Sequence, residues 1–189
     1  MNERERRTMG PEPLPTFRFH PDPVQSGAVV ASTETCAVCN RARGYVYVGP
    51  CYVEDDFDAT LCPWCIADGG ACRRFAVTFA EVSPGPGFDL RTADEIEERT
   101  PGFATWNPID WPVCCNTPMA YLEPVGDAEL RARHPELAGS LPARVAAELA
   151  IPAAAAAALC QSLHRDHAPT AHLFRCLHCR VVRAVLDCD

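Results

Sequence analysis

Apolar and polar positions alternate most regularly in Phe75-Ala-Val-Thr-Phe-Ala-Glu-Val82, which predicts a β-strand. Arg43-Gly-Tyr-Val-Tyr-Val48 reads as another strand, with Gly49-Pro50 as a turn and a return strand leading to Leu61-Cys62. Near the end of the chain, Ala171 to Arg175 and Val181 to Leu186 form a further pair of strands. Helical spacing predicts Ile66 to Arg74, Asp127 to His134 and Pro152 to Leu163, with Pro152 suited to a first turn. Thr92-Ala-Asp-Glu95 has the form of a capping box opening a helix that runs to Arg99, and Thr100-Pro-Gly-Phe103 stops it. Before all of these, Leu14-Pro-Thr-Phe-Arg-Phe-His-Pro-Asp-Pro23 is stiffened by prolines into an extended arm that lays Phe17 and Phe19 on the core. His20, in that arm, is expected to pack or cap rather than catalyse. The elements predict an α+β fold, with small antiparallel zinc-ribbon-like sheets and short flanking helices.

The cysteines sharpen this picture. Cys36/Cys39 and Cys62/Cys65 are two Cys-x-x-Cys pairs with 22 residues between them. Each pair aims two thiolates at one point, and a hairpin that returns the second pair completes a four-sulfur zinc site. With no position left for water, such a site is structural. Asn40 stands where a glycine is common after the first pair, and Asn is the next-best residue for a left-handed position. Two other readings compete. Cys62-Pro-Trp-Cys65 before a helix resembles a redox dithiol, but it leaves Cys36/Cys39 unexplained and lacks a βαβ setting. Disulfides need an oxidising compartment, and Met1 to Gly10 is charged, without the apolar core of a signal peptide. Zinc is the expected occupant.

A second group lies further on. Cys176/Cys179 is another such pair, and Cys115, with Cys114, is expected to complete a second zinc site. Adjacent cysteines diverge in an extended backbone, so His178 or His172 stands as a substitute donor, and His164/His167 as a further one. A packed, reduced cysteine cluster is the competing account. Cys51, Cys72, Cys160 and Cys188 are left over from both groups.

Charge limits the partners. The formal net charge of the 189 residues is −8, and all 17 basic residues are Arg. Glu81, Asp89, Asp94, Glu95, Glu97, Glu98 and Asp110 crowd one stretch, and Glu54, Asp55, Asp56 and Asp58 another. Such a field repels phosphates, so no nucleic-acid partner is expected despite the ribbon-like spacing. The longest apolar run, Ala153 to Cys160, is far short of the ~20 residues that span a bilayer, so a cytoplasmic location is expected. The chain divides into a flexible tail over 1–13 and one zinc-binding domain over 14–189. Within that domain, a zinc ribbon covers 30–80 and the second cysteine cluster covers 100–189.

Several blocks resemble the CbrC family of largely uncharacterised bacterial proteins. They are Leu14-Pro-x-Phe-Arg-Phe-His-Pro-Asp-Pro23, Arg43-Gly-Tyr-x-Tyr-x-Gly-Pro50 and Leu61-Cys-Pro-Trp-Cys-Ile-Ala-Asp-Gly69, followed by Thr100-Pro-Gly-Phe-x-x-Trp106 and Leu173-Phe-Arg-Cys-Leu-His-Cys179. The blocks fall in family order and span nearly all of the chain beyond the tail. The resemblance implies tolerance to a nuclease colicin, or immunity in a toxin system, with a basic toxin as partner. Relatives often carry His-Cys at Cys114-Cys115. Arg180 departs from the family's usual Gly, and Met119 stands where a cysteine can occur. The alternative function is enzymatic: a redox protein using Cys62/Cys65, or a hydrolase with an open zinc at Cys115, Cys176 and Cys179.

Overall fold

The computed structural model describes residues 12–54, 56–83, 85–107 and 109–188. Most of the expected tail (1–11) and Asp55 lie outside the described residues. The rest of the tail is held. Glu12 pairs with Arg43, and the Pro13 carbonyl accepts a hydrogen bond from Trp64 Nε1 at 3.2 Å.

The arm behaves as its prolines suggest. Phe17 and Phe19 are buried, and the Phe19 carbonyl accepts from the Tyr121 amide at 2.8 Å, which ties the arm to the second half of the chain. Strand β1 (Val29–Ala31) then pairs antiparallel with β2 (Tyr45–Tyr47), with Val30 opposite Val46. The expected partner of β2 was the return segment before Cys62, but that segment contributes one bridge, Leu61 to Tyr47. Helix α1 (Pro63–Ala67) is separated from α2 (Gly70–Phe75) by Gly69, whose φ of 70° breaks the single helix that spacing predicted.

The strand expected over 75–82 does not form. Ala76 takes a left-handed φ of 53°, and Thr78 makes one bridge, to Tyr52. The Phe79 amide is satisfied instead by the Glu97 carbonyl, and the Val82 amide by the Glu97 carboxylate. Helix α3 (Leu90–Arg99) thus supplies what a neighbouring strand would have given. Its start is also earlier than expected: Asp89 is the N-cap, accepting from the Thr92 amide at 2.7 Å, so Thr92 lies inside the helix. Gly102 follows in a close approach that admits no side chain, since a Cβ there would sit 1.7 Å from the Phe79 carbonyl oxygen.

The second half opens with a short hairpin of β3 (Val113–Cys114) and β4 (Thr117–Pro118). A three-stranded antiparallel sheet follows, in the order β5 (Ala120–Val125), β6 (Thr170–Arg175), β7 (Val182–Asp187). Between β5 and β6 run α4 (Asp127–Arg133), α5 (Pro135–Glu148) and α6 (Ala153–Gln161). They bury Leu130, Leu141, Val145 and Ala156, with Leu163 just after α6, against Val125, Leu173 and Ala184 of the sheet. β5 and α5 escaped the sequence pattern because Pro124 and Pro142 interrupt them. Pro124 is tolerated because β5 is an edge strand. A second core, with Phe17, Val29, Tyr47, Leu61, Ile66, Val77 and Phe79, serves the first half. The α+β class and the small antiparallel sheets are as expected.

Candidate metal centres

The first cysteine group is assembled by two turns. The Cys36 amide donates to the Arg41 carbonyl at 3.0 Å, and the Asn40 amide to the Cys36 carbonyl at 2.8 Å. This closure needs Asn40 at a φ of 54°, which Asn adopts more readily than most residues. Cys62 is the residue before α1, so Cys65 is presented from the first turn of that helix. The Ala37 amide reaches the Thr60 carbonyl at 2.9 Å and holds the two turns together. Cys36, Cys62 and Cys65 are buried, and the Arg43 guanidinium lies 4.2 Å above the Trp64 ring beside them.

The second group repeats the design. Cys176 donates its amide to the Val181 carbonyl at 2.9 Å, the same five-residue closure, with Arg180 in the position of Asn40 at a φ of 65°. Opposite it, Cys115 and Asn116 form the two-residue turn of the β3–β4 hairpin, with φ of 52° and 56°. Two left-handed residues in a row are the signature of a type I′ hairpin turn. That turn is why the adjacent cysteines converge instead of diverging: Cys114 and Cys115 Sγ are 3.9 Å apart, and Cys114 and Cys179 Sγ 3.7 Å. Asn116 was the sequence signal for it.

In each group the four sulfurs lie within 4.8 Å of one another. A tetrahedron with metal–sulfur bonds of ~2.3 Å places its sulfurs ~3.8 Å apart, close to the separations found here. Disulfide sulfurs would be ~2.05 Å apart. The histidines offered as substitutes are engaged elsewhere. His172 faces Asp187 and Tyr121, His178 Nε2 contacts Thr117 Oγ1 at 3.2 Å, and the rings of His164 and His167 lie tilted against each other with centroids 4.6 Å apart. Met119 is fully buried beside Tyr121 and Phe174, in a small core next to the second group.

The electrostatics of the two groups correspond. Burial alone would raise the Cys36 thiol, but the amides of Cys39, Cys62 and Val38 and the Cys62 thiol bring it down to about 7. Burial likewise opposes ionisation of Cys176, and it is outweighed by the amides of Cys179 and His178 and the neighbouring thiols, which lower it to about 6. The others go the opposite way. Burial pushes Cys62 up to about 11 and Cys65 higher still, and hydrogen bonding with Cys176 raises Cys114 to about 12. One thiolate per group is favoured by the fold, and further ionisation needs a cation among the sulfurs. Such a donor set suits a soft divalent ion such as zinc. The groups differ in exposure: the first is nearly sealed, whereas Cys115 and Cys179 of the second are open to solvent.

Fold and donor sets together define an α+β protein built on two four-cysteine groups, each able to hold a zinc ion. Residues 14–188 match the model of an uncharacterised protein family, UPF0167, and the chain belongs to that family. It is 38% identical over 191 residues to UPF0167 protein Mb2317 of Mycobacterium bovis, covering 95% of this chain and 96% of the relative. It is also 38% identical over 180 residues to UPF0167 protein PA1536 of Pseudomonas aeruginosa, covering 93% and 97%. No solved structure matches the chain. Among the described residues, no helix is long and apolar enough to cross a membrane.

Proposed function

We propose that the protein is a non-enzymatic, cytoplasmic binding module, one domain over 14–189 stabilised by two zinc ions. Cys36, Cys39, Cys62 and Cys65 hold one; Cys114, Cys115, Cys176 and Cys179 hold the other. The observation that carries this reading is the closure of both groups by four sulfurs each. A fourth thiolate takes the position that a catalytic zinc keeps for water. A redox role for Cys62/Cys65 is disfavoured because their sulfurs converge with those of Cys36 and Cys39 in one closed group.

The module's task, on this reading, is to protect its host from a basic toxin of the nuclease type by binding it. Its support is the family resemblance together with the acidic surface. Glu54, Asp56, Asp58, Glu81, Asp89, Asp94 and Asp110 are all exposed. Complementary charge raises association rate and selectivity. Replacing Glu81, Asp94 and Asp110 together by Arg tests the idea against a basic nuclease toxin in a binding titration at several salt concentrations. Weaker binding with a flatter salt dependence is expected. Unchanged affinity would refute the proposed surface.

A further inference from the structure

A cavity of about 280 Å³ lies between the β1–β2 hairpin, the segment around Phe103 and the edge of the β5–β6 sheet, remote from both cysteine groups in its lining. That is near the lower end of the ~300–1,000 Å³ common for ligand sites, suited to a small molecule or one side chain. Aromatic rings form much of it: Phe103 stacks on Tyr121 at 3.6 Å, and Trp106, half exposed, forms part of the wall.

The partners at its polar wall set the hydrogen-bond directions. His20 is fully buried, and its Nδ1 lies 2.7 Å from the Pro101 carbonyl, which only accepts. Nδ1 therefore carries the proton of the neutral ring, and Nε2 accepts. The group 2.7 Å from Nε2 is Ser26 Oγ, so the Ser26 hydroxyl spends its one proton on His20. The Pro23 carbonyl, at 3.1 Å, is the longer of the two acceptors near that hydroxyl and already takes the Val29 amide. The second histidine repeats the logic. His172 Nε2 faces the Asp187 carboxylate at 3.4 Å, so Nδ1 accepts, and the group beside it, at 3.4 Å, is the Tyr121 hydroxyl. Burial lowers both histidines, which keeps them neutral near pH 7. Ser26 and Tyr121, both in the lining, thus direct their protons inward; the Ser26 oxygen also faces the Ala28 amide at 3.4 Å, which leaves each hydroxyl one lone pair without a protein donor among the described residues. Thr170, also in the lining, donates to the His167 carbonyl.

Arg165 is the cation on the rim, and each of its nitrogens already faces an acceptor. Nη1 is 3.3 Å from Glu123, Nη2 is 3.0 Å from the Gln25 carbonyl, and Nε is 3.9 Å from Asp166. Its charge is matched by the carboxylates of Glu123 and Asp166. What remains is a box of π faces and hydroxyl acceptors, the complement of a hydrogen-bond donor carrying positive charge.

We propose that this cavity binds a small organic cation, an alkylammonium or guanidinium group whose N–H donors are taken by Ser26 Oγ and Tyr121 Oη and whose charge is met by the Trp106 and Phe103 rings. The site is independent of the zinc and toxin readings. Its ligand is either a free metabolite or the side chain of a basic partner, and the two share this chemistry.

Calorimetric titration of the full chain with agmatine, benzylamine and benzoate tests it. Saturable binding of the two cations and none of benzoate is expected. N-acetyl-arginine methylamide separates the sources: tighter binding of agmatine assigns the site to a free cation, tighter binding of the capped arginine to a partner's side chain. Tyr121→Phe and Trp106→Leu should each weaken the better cation tenfold or more. Because Trp106 is half exposed, its variant keeps the melting profile and metal content of the parent. No saturable response to either cation below ~10 mM, or benzoate binding as tightly as they do, overturns the proposal.

Discussion

Replacing Cys36 by Ser removes one sulfur from the buried group and reports on what holds the first half together. Cys36 is 1% exposed, and the Cys62 amide points at its sulfur from 3.3 Å. The elements that meet there are short: strands of three residues and helices of five and six. None is stable alone, because isolated helices need ~12–15 residues and a lone two-stranded ribbon is marginal. Structural zinc contributes ~10–16 kcal/mol in finger peptides, so one ligand in four is worth ~2.5–4 kcal/mol if shared evenly. For a chain of this size each kcal/mol moves the melting midpoint by ~2–4 °C, giving a fall of roughly 10 °C. Cys72→Ser, half-buried and outside both groups, is the control and should cost under ~1 kcal/mol. Scanning calorimetry supplies the midpoints, and amide exchange locates the loss within 28–80. A Cys36→Ser protein that melts with the parent and keeps its metal would refute the reasoning.

His20 should make the fold acid-sensitive. Burial, opposed by the Pro101 carbonyl, lowers it from 6.5 to about 4, so the folded state binds its proton later than the unfolded chain. Its contribution of ~3 kcal/mol is fully present above about pH 6.5 and is lost as pH falls toward 4; urea melts of the parent and His20→Gln should converge over that window, and parallel curves would contradict it. Gly102→Ala should destabilise by ~2–3 kcal/mol or block folding, because its Cβ would meet the Phe79 carbonyl oxygen at 1.7 Å; a denaturant midpoint equal to the parent's would count against the packing described. Arg180→Gly should stabilise by up to ~1 kcal/mol and slow metal loss to a chelator, since Arg180 holds a φ of 65°; faster loss would contradict the strain assigned there.

What the sequence disclosed depended on how local the physics was. The three Cys-x-x-Cys turns, the β6–β7 pair and the helices α4 and α6 are set by neighbours in the chain, and they were legible. The arm was legible too, because its prolines leave little choice of backbone. Strand 75–82 failed for a non-local reason: the amides of Phe79 and Val82 find partners on Glu97. β5 was hidden because a proline on an edge strand looks like a break, and α5 because Pro142 looks like an end. The divergence expected of Cys114 and Cys115 assumed an extended backbone, whereas Asn116 marks a left-handed turn that brings them together. The polar wall around Ser26 and Tyr121 had no sequence signal. It arises only when the arm, the Pro101 segment and the sheet edge meet, with His20 and Pro101 lying 81 positions apart in the chain.

Metal content per chain, by mass spectrometry under native and denaturing conditions on protein purified without added metal, tests the central claim most directly. Two zinc ions in the native spectrum, and a denatured mass showing every cysteine as a thiol, is the predicted result. A native mass without metal, with two protons missing for a Cys62–Cys65 disulfide, would contradict it.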